Sequence, residues 1–146
     1  MLHDVARLYS ADRLIAECEA RGMPIDAFER RHPIVLHAPL AAAIARESFG
    51  VDDPAVLSAI ERHTLGAPGM SQLDAIVYLA DGLEPGRDFK ERAALEALAF
   101  EDPVAAMRAI LRSSIAHLRS RNLEPAPKTL AALAAYDRLE RSPLSA

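Results

Sequence analysis

Residues 71–82 read SQLDAIVYLADG, and this stretch decides the fold class. It opens on a serine, a residue that commonly caps the N-terminus of a helix, and its apolar residues then recur at helical spacing. Asp81 follows Leu73 and Val77 at intervals of four, which places all three on one face of the predicted helix. We expect that face to be buried, and a buried carboxylate needs a partner because desolvating its charge is costly. A metal ion or Arg87 would be that partner.

The same helix signals recur along the chain on both sides of this stretch. Asp53-Pro54 and Asp102-Pro103 each combine a capping aspartate with a proline suited to the first helical turn. No stretch alternates convincingly with period two, and no hairpin-type turn separates two strand-like runs. Residues 1–146 are therefore predicted to form one all-α domain. Further predicted helices begin near Ser10, run from Leu40 to Phe49 after Pro39, and cover Asp88 to Ala99 and Lys128 to Arg141.

Composition and charge narrow the classes of function. A net charge of −4 and a pI near 5.7 argue against nonspecific nucleic-acid binding, which needs a broad basic surface. They permit a small polyanionic substrate, because a cation and a few arginines can hold phosphates on an acidic protein. A single cysteine, Cys18, excludes an internal disulfide, and no apolar run approaches the ~20 residues that span a membrane. Residues 1–7 lack the features of a signal peptide, so we expect a cytoplasmic protein that binds neither nucleic acid nor membrane.

Polar residues also occur where a plain helical core would be apolar. His63 follows Val56 and Ile60 at helical spacing and is expected to share their buried stripe. Adjacent His3 and Asp4 on a helix would project about 100° apart, which lets both reach one cation lodged between helices. Imidazole and carboxylate donors of this kind suit iron, manganese or another divalent ion. The residues expected to meet in one cleft are His3, Asp4, His37, His63 and Asp81.

Each of these residues, taken singly, has an ordinary structural explanation. His37 could be a histidine at a turn or at the start of a helix, and Asp81 could pair with Arg87 for structural reasons alone. Arg87, which follows Pro85 and Gly86, could equally be a solvated loop residue. The metal-site interpretation rests on the joint arrangement.

Four segments carry a resemblance to a known family. They are LHDVAR at residues 2–7, the stretch from His32-Pro33 to His37-Ala38-Pro39, HTLG at 63–66 with Met70-Ser71, and YLADGLEPGRDF at 78–89. In this order and spacing they resemble the HD superfamily, and within it the YqeK-type symmetrical diadenosine tetraphosphate hydrolases, or bis(5'-nucleosyl)-tetraphosphatases. The resemblance extends from residue 2 to about residue 137. It implies an all-helical HD domain and a metal-dependent hydrolysis that yields two ADP.

The resemblance also implies roles for individual residues. Arg7 stands where the family usually has lysine, which keeps a cation but changes its geometry. The substrate would be a dinucleoside polyphosphate, with ADP as the product, and the family is compatible with a homodimer. One or two ions of iron, manganese or another divalent metal would be held by His3, Asp4 and Asp81. Substrate binding and catalysis would involve Asp4, Arg7, His37, His63, Thr64 and Arg87.

The resemblance leaves one expectation about completeness and two alternatives about function. The family carries a further metal-binding histidine on a helix upstream of the His-Asp pair, which here stands at residues 3 and 4. We therefore expect the HD domain of residues 1–146 to be incomplete at its N-terminus.

Two alternatives to hydrolysis of diadenosine tetraphosphate stay open. The chain could hydrolyse another nucleotide or phosphate ester, because the His-Asp skeleton is shared across the superfamily. It could also be a catalytically inactive, nucleotide-binding helical module.

Overall fold

The computed structural model describes residues 1–141, with side chains to residue 139, and contains only helices as regular elements within that range. This confirms the predicted all-α class. None of the helices in the described range is long and apolar enough to cross a membrane. Short 3₁₀ helices cover Leu2–Asp4 and Pro33–Leu36. The α-helices are α1 (Ala11–Ala20), α2 (Ala27–Arg31), α3 (His37–Phe49), α4 (Pro54–Arg62), α5 (Gln72–Gly82), α6 (Arg92–Glu101), α7 (Pro103–Ser120) and α8 (Pro127–Arg141).

The chain comprises two compact units, Met1–Leu65 and Gly66–Ala146. The first contains α1 to α4 and the second contains α5 to α8. The single domain expected for residues 1–146 stays a prediction. Side-chain caps explain where several helices begin, because each capping oxygen accepts a hydrogen bond from a backbone N–H of the first turn. The capping residues of α1, α4, α5 and α7 are Ser10, Asp53, Ser71 and Asp102, as the sequence predicted.

The first unit is built around α3, which buries apolar side chains on two faces. One face packs Leu40 and Ile44 against α1, where Leu14 and Cys18 are fully buried. The other face consists of small residues that let α3 approach α4 closely. Because the chain reverses between α3 and α4, the first residue of α3 and the residue after α4 come together. Those two residues are histidines. The close contact between α3 and α4 involves Ala41, Ala45, Leu57 and Ile60.

The second unit buries one apolar core among its four helices. Met107 and Leu111 of α7 lie at its centre and are fully buried. A β-carbon on Gly82 would lie 2.5 Å from Cδ1 of Ile110, so the glycine at the end of α5 permits close approach to α7. Charged side chains also connect α7 to α8. Nη2 of Arg112 lies 2.7 Å from Oδ1 of Asp137, and Nε of Arg108 lies 3.5 Å from the same oxygen.

The buried face of α5 differs from the predicted one. Leu73, which we expected inside, is 38% exposed and the nearby Ile76 is 50% exposed, whereas Asp74 is 1% exposed. The reason is the capping box, in which Ser71 Oγ accepts from Asp74 N and Asp74 Oδ2 accepts from Ser71 N. This pairing permits a carboxylate to be buried at the start of the helix. The buried face of α5 then consists of Ala75, Tyr78 and Leu79, which lie one, four and five residues after Asp74.

Other differences concern where three helices begin and which residues of α4 are buried. Helix α2 was not predicted, although Asp26 and Glu29 form a capping box that begins it. Helix α3 begins before Pro39, which is tolerated because backbone N–H groups in the first turn have no intrahelical acceptor. Helix α6 begins at Arg92 rather than at Asp88. His63 and Ile60 are buried as expected, whereas Val56 is 36% exposed because α4 directs Leu57 inward instead.

Candidate metal centre

Two buried histidines face each other where α3 begins and α4 ends. His37 is the first residue of α3 and His63 directly follows α4. Their Nε2 atoms lie 3.3 Å apart. In both rings, Nδ1 lies 2.6 Å from the backbone oxygen three residues earlier, that of Ile34 or Ile60. A carbonyl oxygen can only accept, so each Nδ1 donates its proton, and Nε2 is the nitrogen of each ring that is left to bind a ligand.

The space between the two Nε2 atoms is rich in electron-pair donors. Oγ1 of Thr64 lies 3.2 Å from both atoms, and its single proton can satisfy only one of them. Oδ1 of Asp4 lies 3.6 Å from both and brings negative charge. Burial lowers the pKa of His37, so protonation is a poor way to relieve this crowding of lone pairs. A metal cation suits the arrangement.

His3 and Asp4 approach the pair from the 3₁₀ helix at the start of the chain. Nε2 of His3 lies 3.5 Å from Oδ2 of Asp4, and the His3 ring meets the edge of the His63 ring at a centroid distance of 4.8 Å. His3, Asp4 and His63 can each offer one ligand atom, and these atoms lie within 4.8 Å of one another. Two imidazoles and a carboxylate are a donor set that fits iron, manganese or zinc. The residues present therefore fit a divalent metal ion.

The geometry extends the roles expected from the sequence. His3, Asp4, His37 and His63, four of the five residues expected in one cleft, lie close together within the first unit, and Thr64 lies beside them. Their roles stay predictions. His63 was expected to bind substrate, yet its ligand atom stands with those of His3 and Asp4. The backbone acceptors of the two rings were not foreseen. The sequence carries no local signal for these bonds, because every residue has a backbone oxygen three positions earlier.

Arg7 is the arginine of this unit whose positive charge influences His37. Its side chain is exposed, and its positive charge is one of the causes that lower the pKa of His37, after burial. A phosphate near His37 would therefore lie within the influence of this positive charge. The expected role of Arg7 in substrate binding stays a prediction.

Asp81 and Arg87 lie in the second unit and form a pair with each other. Nη2 of Arg87 donates to Oδ2 of Asp81 at 3.1 Å, and Nε donates to the backbone oxygen of Asp81 at 2.9 Å. The side chain of Asp81 is 22% exposed, so it is less buried than expected, and its predicted cationic partner is present. Burial raises the pKa of nearby Tyr78 to about 12, and the charge of Asp81 adds to this effect. That Asp81 belongs with His3 and Asp4 stays a prediction.

Comparisons with known proteins identify the family of this chain. A model of the HD domain matches residues 1–86. The symmetrical bis(5'-nucleosyl)-tetraphosphatase of Halalkalibacterium halodurans is 33% identical over 147 residues, covering 88% of this chain and 79% of that protein. The protein of the same name from Bacillus subtilis is 30% identical over 129 residues, covering 88% and 69%. The crystal structure of a "predicted HD superfamily hydrolase involved in NAD metabolism" from Clostridium acetobutylicum superposes with a TM-score of 0.91 at 31% identity, covering 94% of this chain and 73% of that one.

Proposed function

Because this chain belongs to the HD domain family, and to the group within it named symmetrical bis(5'-nucleosyl)-tetraphosphatase, we propose that it is a metal-dependent phosphohydrolase of diadenosine tetraphosphate. The reaction adds one water across the central phosphoanhydride and yields two ADP. The observation that carries the proposal is the pair of buried imidazoles beside Asp4, whose Nε2 atoms lie 3.3 Å apart and each 3.6 Å from Oδ1 of Asp4. Iron or manganese is the proposed metal, and a cytoplasmic location stays a prediction.

The metal would be held by imidazole nitrogens and by carboxylate oxygens. His3 and Asp4 supply an imidazole and a negative charge from the 3₁₀ helix, and His63 supplies a further nitrogen. Asp81 is the remaining ligand that the family resemblance implies. A bound divalent ion supplies Lewis-acid activation of water and neutralises charge on phosphoryl oxygens.

The remaining residues bind and orient the substrate. The Nδ1 bond to Ile34 fixes the His37 ring, so this ring need not reorient as charge develops on the phosphate. The Thr64 hydroxyl can turn its proton from one Nε2 to a phosphate oxygen. Arg7 contributes a full positive charge whose field acts on His37. We propose that these groups hold the phosphates flanking the bond that breaks.

The test is product analysis with a matched pair of variants. We expect the protein supplied with Mn²⁺ or Fe²⁺ to convert diadenosine tetraphosphate to ADP alone. Asp4→Asn should lower kcat/KM by roughly a hundredfold or more, as when a charge-stabilising group is lost from an active site. Asp53→Asn is the control, because Asp53 only caps α4 and asparagine caps equally well.

Each alternative gives a different result. ATP together with AMP would show asymmetrical cleavage and contradict the proposed reaction. Faster hydrolysis of another nucleotide or of a simple phosphate ester would support the broader phosphohydrolase alternative. Nucleotide binding without any hydrolysis in metal-supplemented protein would support the inactive module. A homodimer, which the family is compatible with, is tested separately by sedimentation.

A further inference from the structure

Arg87 holds Asp81 through one complete edge of its guanidinium group. Nε donates to the backbone oxygen of Asp81 at 2.9 Å, and Nη2 donates to Oδ2 of the same residue at 3.1 Å. Nε and Nη2 form the side-on fork of the guanidinium, whose two parallel N–H bonds give both strength and direction. The edge that could hold a phosphate in a bidentate manner from the side is therefore already engaged.

The chain between the two residues is shaped to permit this contact. After α5 the backbone turns, with Glu84 N bonded to Asp81 O at 3.5 Å and Arg87 N bonded to Glu84 O at 2.9 Å. The turn brings Arg87 back to the C-terminal end of α5, where backbone oxygens attract cations.

We propose that Arg87 is a positioning residue for the Asp81 carboxylate. The terminal torsion of an aspartate side chain is broad, so a ligating carboxylate needs hydrogen bonds to hold its orientation. Arg87 supplies such a bond to Oδ2 and anchors itself on the main chain of the same residue. The proposal rests on the proposed function, in which Asp81 is a metal ligand. It differs from the family-based expectation, in which Arg87 binds phosphate and metal binding is independent of it.

Arg92 provides a matched control in the same part of the second unit. Its Nη1 donates to the backbone oxygen of Leu83 at 3.1 Å, and it pairs with Oε2 of Glu96 at 3.0 Å. It thus combines a main-chain oxygen at the end of α5 with a carboxylate, as Arg87 does. That carboxylate belongs to α6 and has no expected role in the site. Substituting either arginine by lysine preserves the charge and removes the guanidinium group.

The test is the affinity of the full chain for Mn²⁺, measured from the electron paramagnetic resonance signal of the free ion. We expect Arg87→Lys to weaken Mn²⁺ binding by about tenfold or more, the loss typical when a hydrogen-bond partner of a metal ligand is removed. Arg92→Lys should leave the affinity within about twofold of the wild type. Asp81→Asn should weaken it at least as much as Arg87→Lys. Thermal unfolding of the metal-free variants accompanies the titrations.

The outcomes separate this inference from the function on which it rests. Unchanged affinity in Arg87→Lys with a loss in Asp81→Asn would overturn the positioning role alone and leave Arg87 as a phosphate ligand. Unchanged affinity in Asp81→Asn, or wild-type protein that holds no Mn²⁺, would overturn the metal role proposed for Asp81 and the inference with it. Equal losses of affinity and of unfolding temperature in Arg87→Lys and Arg92→Lys would show a purely structural effect and overturn the inference.

Discussion

Tyr78 is the residue whose surroundings make the sharpest prediction about pH. Its ring is buried in the core of the second unit, and burial raises the pKa of its hydroxyl to about 12. An unfolded chain would ionise this group at about pH 10. The folded state therefore holds the proton more tightly. The stability due to this difference is fully present below pH 10 and is lost as pH rises toward 12.

Tyr78→Phe tests this interpretation. At neutral pH we expect the variant to be about 1 kcal/mol less stable, because the hydrogen bond between Tyr78 and Ser114 is lost. Between pH 10 and 12 the wild type should lose stability faster than the variant, so the difference between them shrinks. Urea unfolding at a series of pH values measures it. Parallel curves for the two proteins would contradict the assigned pKa.

The capping box of α5 shows how one helix start controls the burial of a whole element. Ser71 and Asp74 exchange two hydrogen bonds, and Asp74 is buried by them. In α1, by contrast, the Ser10 side chain accepts a single bond from Arg13 N in an exposed position. The two serines are therefore a natural pair for comparing a reciprocal cap with a simple one.

We expect Ser71→Ala to destabilise the protein by about 1–2 kcal/mol and Ser10→Ala by about 0.5–1 kcal/mol. The effect at Ser71 is larger because its hydroxyl is half of the reciprocal hydrogen bonding that accompanies the burial of the Asp74 carboxylate. Ser71→Asn keeps a capping oxygen and serves as the control. Guanidinium unfolding gives the three free energies. A Ser10→Ala loss equal to or greater than the Ser71→Ala loss would contradict the idea.

The elements also show what the sequence could and could not predict. Local signals were sufficient for the all-α class and for the starts of α1, α4, α5 and α7, whereas the start of α2 at Asp26 was missed. The buried face of α5 was predicted wrongly because periodicity records only apolar residues, whereas the capping box buries Asp74. Likewise, spacing indicated that His63 is buried, but its 3.3 Å contact with His37 depends on how α3 packs against α4. Tertiary packing of this kind leaves no local pattern.

At the scale of the whole molecule, the proposed metal should contribute to stability as well as to chemistry. An ion that binds only the folded state stabilises it by about 2.7 kcal/mol at a free concentration of 100 times the dissociation constant. We therefore expect Mn²⁺ to raise the unfolding temperature and a chelator to reverse the shift. Asp4→Asn should abolish the response, whereas Asp53→Asn should retain it. An equal shift in wild type and Asp4→Asn would place the ion elsewhere.

The burial of Cys18 has a practical consequence for spectroscopy. It is the only cysteine in the chain, it is fully inaccessible, and burial raises the pKa of its thiol. Maleimides and similar reagents react with accessible thiolates, so the native protein presents them with almost no target. The wild-type protein should therefore give almost no background labelling with thiol-reactive fluorophores and spin labels. A cysteine introduced at an exposed position of either unit would carry the label alone, without any substitution in the core.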